Sequence, residues 1–148
     1  MKLKASIDYG VRAMMYLAIK GGTCSSKEIA EHMDIPRDYL IQLGLKLRNA
    51  GLINARPGKN GGYTLAKEPS EVSIHQIVAA FEETYKNPRH PLTGKHVEDT
   101  IGGKVANANA LISSSVDMFL GQITIQDLLD AGEQKEGKKE FFSRIQGE

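Results

Sequence analysis

The chain's strongest constraint is the punctuation of its first 66 residues, where breakers cut apolar helical stripes at short intervals. Leu3, Ile7, Val11, Met14 and Ala18 recur at helical spacing and stop at Gly21-Gly22. Asp8 and Arg12 stand four apart on that segment, where opposite charges attract across one turn. Ser25 and Glu28 then have capping-box spacing ahead of Ile29-Ala30-Glu31-His32-Met33, which predicts a short second helix. Asp34-Ile35 turns the chain, and Pro36 falls in the first turn of a third helix, where a missing N–H is tolerated. Leu40, Leu43, Leu47 and Ala50 share one face of that helix, while Asp38, Gln42, Leu45 and Asn49 point the opposite way. Gly51 ends it. Leu52-Ile53-Asn54-Ala55 and Tyr63-Thr64-Leu65-Ala66 flank the run Arg56-Pro57-Gly58-Lys59-Asn60-Gly61-Gly62, which predicts a β-hairpin.

Ser73 and Gln76 form another capping box and open a helix with Ile74, Ile77, Val78 and Phe81 on its apolar side. Residues 84–103 are polar, carry Pro88 and Pro91 with three glycines, and read as a loop. A long helix over 104–121 follows, with Ala108, Leu111, Ile112, Ser115, Val116 and Phe119 on one stripe. Thr124 caps a further short helix, and the charge-rich residues 132–148 read as a disordered tail. The expected organisation is therefore a unit over 1–83, a loop with long and short helices over 84–131, and the tail over 132–148. The fold class is mainly α with a small β-hairpin. Helix, short helix, turn, helix and hairpin in that order make a winged helix-turn-helix.

Composition decides which functions to exclude. Of the 148 residues, 41% are apolar and 25% charged, which suits a globular chain rather than a disordered one. No apolar run approaches the roughly 20 residues that span a bilayer. Met1 to Asp8 lacks the apolar stretch of a secretory signal, and one cysteine makes no internal disulfide, so a cytoplasmic protein is expected. The net charge is only +1, yet residues 1–72 hold 11 basic against 7 acidic residues and residues 73–148 hold 8 against 11. A polyanion contact belongs in the first half. The chain has no nucleophile elbow, phosphate loop or zinc-hydrolase helix, so no enzyme is expected.

Tyr9-Gly10-Val11-Arg12-Ala13-Met14, Ile29-Ala30-Glu31, Tyr39 to Leu43, Leu47-Arg48-Asn49-Ala50-Gly51-Leu52-Ile53 and Gly58 through Tyr63 together resemble the Rrf2 family of bacterial transcription regulators. The stretch Phe119 to Leu129 is similar to that family's dimerisation helix and its short successor. The resemblance implies a homodimer on a palindromic operator in double-stranded DNA, most simply as a repressor. The third helix would enter the major groove and the wing would flank it. Some members hold an iron–sulfur cluster on three cysteines between the fourth helix and the dimerisation helix. Here Glu83 to Val105 contains no cysteine, and such clusters need thiolates, so no cofactor is expected. The wing also departs from many relatives, with Pro57 before Gly58 and Arg56 one place earlier, and Ile41 stands where relatives are often polar.

The candidate base-reading residues are Arg37, Asp38, Tyr39 and Gln42, in the turns of the third helix where helix-turn-helix proteins touch bases. Arginine suits guanine or phosphate, glutamine suits adenine, and aspartate can accept from cytosine. In the wing, Arg56 and Lys59 supply charge, while Asn60 and Gly61 let the backbone approach phosphate. Ala108, Leu111, Ile112, Val116 and Phe119 are the candidate dimer contacts. Cys24 precedes the second helix, whose N-terminus can lower a thiol pKa; it is a candidate redox switch, with a plain small residue in a loop as the favoured alternative. His90 and His96 with Glu98 and Asp99 lack metal-ligand spacing, and no metal site is expected. A small-molecule effector or protein partner would provide any signal. The competing reading is a winged-helix adaptor that binds protein and not specific DNA; the basic wing argues against it.

Overall fold

The computed structural model describes residues 4–82, 101–133 and 137–147. Its elements run α1 (Ala5–Lys20), α2 (Ser26–Met33), α3 (Arg37–Asn49), β1 (Ile53–Arg56), β2 (Gly62–Leu65), a 3-10 turn (Pro69–Glu71), α4 (Ile74–Glu82), α5 (Ile101–Gly121), α6 (Ile125–Glu133) and α7 (Gly137–Gln146). The fold is mainly helical with one antiparallel hairpin, as the sequence predicts. β1 and β2 pair in the register Ile53 with Leu65 and Arg56 with Gly62.

The three helices of the helix-turn-helix close on Met14, Leu17, Ile29, Leu40, Leu43 and Leu47, all buried. Removing each such side chain from water contributes about 1.5–3 kcal/mol, which outweighs the weak propensities of short helices. Arg12 donates from Nε and Nη2 to the Asp8 carboxylate at 3.0 and 2.9 Å. Its Nη1 donates to the Met33 carbonyl at 3.1 Å, so the expected i,i+4 pair also ties α1 to the end of α2. Ser25 Oγ accepts from the Glu28 N–H at 3.1 Å as a cap should. The Glu28 carboxylate instead accepts from the Tyr16 hydroxyl at 2.7 Å. Pro36 sits one place earlier than expected, as the N-cap of α3.

Two reciprocal capping boxes head α4 and α6: Ser73 with Gln76, and Thr124 with Asp127. Between them the Ile74 N–H donates to the Ile123 carbonyl at 2.8 Å and the Ile125 N–H to the Val72 carbonyl at 2.9 Å. Val72 and Ile125 are fully buried at this seam. The short helix α6 therefore joins the core of the N-terminal unit, a docking that sequence periodicity does not reveal.

Two expectations need correction. Residues 101–103 belong to α5 and not to a loop, because Gly103 is buried and packing outweighs the roughly 1 kcal/mol that a helical glycine costs. The tail expected to be disordered carries α7, which packs on α6. Arg144 meets Asp127 at 2.9 Å, and Phe141 stacks edge-on against Phe142. Burial alone would raise the Asp127 pKa, but hydrogen bonds from Thr124 and Arg144 hold it below the usual carboxylate value.

α1 and α4 touch across Gly10. A Cβ there would lie 2.7 Å from Phe81 Cε2 and 3.3 Å from Ile77 Cγ2. Both neighbours are buried and have little room to yield. Gly10→Ala is therefore expected to destabilise the protein by about 1–3 kcal/mol, despite alanine's better helix propensity. Urea unfolding would show this as a lower midpoint; an unchanged or raised midpoint would contradict the close packing.

Candidate nucleic-acid interface

The wing is fastened to the helix-turn-helix at two places. Cys24 and Tyr63 exchange backbone hydrogen bonds of 3.0 and 2.8 Å, so a single antiparallel bridge joins the link between α1 and α2 to β2. Gly44 provides the second contact: a Cβ there would stand 2.8 Å from the Tyr63 ring, so only glycine lets α3 lie against the wing. Burial pushes the Tyr63 phenol up, with Arg48 opposing.

This arrangement leaves a cleft of about 480 Å³ between the wing, α3 and the start of α2. Lys27, Arg37, Arg48, Arg56 and Lys59 line it together with Ser25, Ser26 and Tyr63, and among the described residues no acidic one does. The N-terminus of α2, the positive end of its dipole, opens into the same space, with Ser25, Ser26 and Lys27 in the lining. Five cations around one concavity repel one another unless an anion fills it. A nucleic-acid backbone supplies such an anion, as a row of phosphates.

The sequence-expected residues divide accordingly. Arg37, Arg56, Lys59 and Gly61 line the cleft. The Gly61 N–H is already given to the Gly58 carbonyl at 3.0 Å, so that amide closes the turn and is not free for phosphate. Asn60 is exposed at the tip, and Asp38 and Gln42 are exposed on the outer face of α3. Tyr39 is half-buried, with its ring edge-on to Tyr9 at 5.4 Å; it braces α3 on α1. Sequence reasoning missed Lys27 and Arg48. Helical arithmetic reaches Arg48, since a step of eleven residues from Arg37 completes about three turns. Lys27 needs the tertiary fold, because only the wing's approach brings it to the cleft.

At Cys24 the pKa moves opposite to the lowering a helix N-terminus can give. The side chain is buried, and burial pushes the thiol pKa up, with Glu28 adding to the rise. The helix N-terminus does not activate it. The adjacent Tyr16 phenol is pushed up to about 12 by burial and by its hydrogen bond to Glu28. That bond in turn lowers the Glu28 pKa. The candidate dimer residues behave differently: Leu111, Ile112, Val116 and Phe119 are 70%, 63%, 50% and 44% exposed, and Ala108 is exposed beside them. His90, His96, Glu98 and Asp99 lie outside the described residues.

The chain matches the Rrf2 family, described as iron-dependent transcriptional regulators, over residues 3–131. A helix-turn-helix transcriptional regulator of Synechocystis is 45% identical over 86 residues, which are 57% of this chain and 58% of that protein. The helix-turn-helix regulator IscR of Cereibacter sphaeroides is 36% identical across 87% of each chain. Among solved structures, CymR, the global cysteine regulator of B. subtilis, superposes with a TM-score of 0.63 at 31% identity, covering 86% of this chain and 95% of that one. These relatives are regulators, not enzymes. No helix among the described residues is long and apolar enough to cross a membrane.

The family description raises the question of iron, and the donor set here does not fit a cluster. The chain has one cysteine, and it is buried under the wing with its backbone bonded to Tyr63. Iron–sulfur clusters of the ordinary kinds need more than one thiolate from their protein. Among the described residues no group of three or more His, Cys, Asp or Glu side chains could hold a metal ion. What the chain shares with its relatives is the helix-turn-helix, the wing and the helices that follow. It belongs to the Rrf2 family of helix-turn-helix transcription regulators.

Proposed function

We propose that the protein is a sequence-specific repressor that binds a palindromic operator as a homodimer, in the cytoplasm and without an iron–sulfur cluster. The observation that carries this reading is the acid-free basic cleft between α3 and the wing. A phosphate backbone seated there brings the exposed face of α3, with Asp38 and Gln42, against the edges of the bases. Two such faces need a two-fold axis, and the uncovered apolar side of α5 is the surface on which a second copy would pack. A dimer bound over a promoter would block polymerase. Selection of duplexes from a random-sequence pool by the full-length protein tests the reading, and a two-fold symmetric consensus is expected. Recovery of no consensus would favour the adaptor function instead.

The cluster-free state carries its own prediction. Protein purified without oxygen is expected to hold far less than one iron and one sulfide per chain, and a chelator should leave its affinity for the selected duplex unchanged. Stoichiometric iron and sulfide with visible cluster absorption would refute it. Signalling then falls to a small molecule or a protein partner.

A further inference from the structure

We infer that Ile41 and Leu45 read the 5-methyl groups of thymines in the major groove, a role that rests on the DNA-reading function proposed above. Both are large aliphatic side chains left in solvent, 46% and 51% exposed. They stand four residues apart, so they form one ridge on α3 and are not scattered singly. With Ile41 as the origin, Leu45 lies at about 40° around the helix, Arg48 and Arg37 at about −20° and −40°, and Asp38, Asn49 and Gln42 at about 60°, 80° and 100°. The apolar pair therefore occupies the middle of the exposed face. Its arginine flank turns toward the wing, because Arg37 and Arg48 line the basic cleft. Its other flank carries hydrogen-bonding groups.

The charge around the ridge selects its occupant. A protein surface or a second copy would bring mixed charge against the five cations of the adjoining cleft, whereas duplex DNA brings phosphates to the cleft and base edges to the ridge. In the major groove the apolar group presented by a base pair is the thymine methyl, and aliphatic side chains recognise it by contact. Ile41 and Leu45 can make no hydrogen bond there, and buried against a cytosine amino group they would leave it unpaired. The ridge thus favours thymine by attraction and disfavours cytosine by desolvation.

The probe is the duplex selected from a random pool, remade with each thymine replaced in turn by deoxyuridine. That change removes a methyl and keeps every hydrogen-bonding group. Wild-type affinity is expected to fall about fourfold for each contacted methyl, the worth of one buried methylene-sized group. Ile41→Ala and Leu45→Ala, both at exposed positions, should each bind the thymine and uracil forms alike at one position per half-site. Uracil duplexes bound by the wild type as tightly as the parent would overturn the inference, and so would undiminished uracil sensitivity in both alanine variants. In either case the selected consensus would leave the DNA-binding function standing. A pool yielding no enriched sequence would remove that function itself, and this inference with it.

Discussion

Ile112→Glu or Val116→Glu is expected to turn the protein into a monomer and to weaken operator binding by about 10²–10⁴-fold. α5 is 21 residues long, and Gly103 is its one buried position among the described residues. Met118, at 68% exposed, adds to the apolar surface left uncovered by the chain itself. An aliphatic stripe of this length in water is stable only when another surface covers it. Under two-fold symmetry the covering surface is the same stripe, and a substitution near the axis meets its own copy. Glutamate at 112 or 116 would then lose hydration and face a second carboxylate at short range. Because both positions are exposed in the single chain, the variants should fold and keep their helical content. Affinity falls because the second half-site no longer binds as an intramolecular event. Light scattering gives the mass directly, against a single-chain value of 16.2 kDa. A wild type that is monomeric at micromolar concentration would defeat the proposal. A glutamate variant that stays dimeric with full operator affinity would do so equally.

What the sequence disclosed, and what it concealed, follows from the range of the interactions involved. Capping signals at Ser25, Ser73 and Thr124 depend on neighbours three residues away, and all three caps form. The apolar stripe of α3 is equally local: Leu40, Leu43 and Leu47 are buried as their spacing implies, while Ala50, its fourth member, is exposed at the C-cap. The hairpin follows from glycines and proline set between two short segments. The bridges from Cys24 to Tyr63 and from Ser73 to Thr124 span about 40 and 50 residues, and no periodicity encodes them. That is why a position next to a helix cap does not disclose that Cys24 is buried: its backbone bonds to Tyr63 of the wing. Lys27 was missed for the same reason. The error over α7 has another origin. Phe141 and Ile145 lie one turn apart, but in a segment so charged their stripe is weak without α6 and the Arg144–Asp127 pair. At Tyr39 the helix face does not disclose that the ring also packs edge-on against Tyr9 of α1.

Operator affinity is expected to fall by about 10³–10⁵ between 50 and 200 mM salt, the loss typical of proteins that neutralise six to ten phosphates. Lys27, Arg37, Arg48, Arg56 and Lys59 line the cleft, so the proposed dimer would bring about ten cations to the duplex. Those that pair with phosphate release condensed counterions, at about 0.9 in the slope of log affinity against log salt for each contact. Lys27→Ala, Arg48→Ala and Lys59→Ala each remove one cation from both clefts, and each should reduce the magnitude of the slope by about two. Lys27 is the most informative position, because only the assembled cleft nominates it. Gln42→Ala should behave in the opposite manner: a loss of about 1–3 kcal/mol at every salt concentration, a relaxed preference at one operator position and an unchanged slope. The contrast separates phosphate seating from base reading within one set of titrations. Nearly salt-independent binding by the wild type would rule out the cleft as the backbone seat. An unchanged slope in both Lys27→Ala and Arg48→Ala would show that neither position meets phosphate and would leave the backbone contacts to Arg37 and the wing.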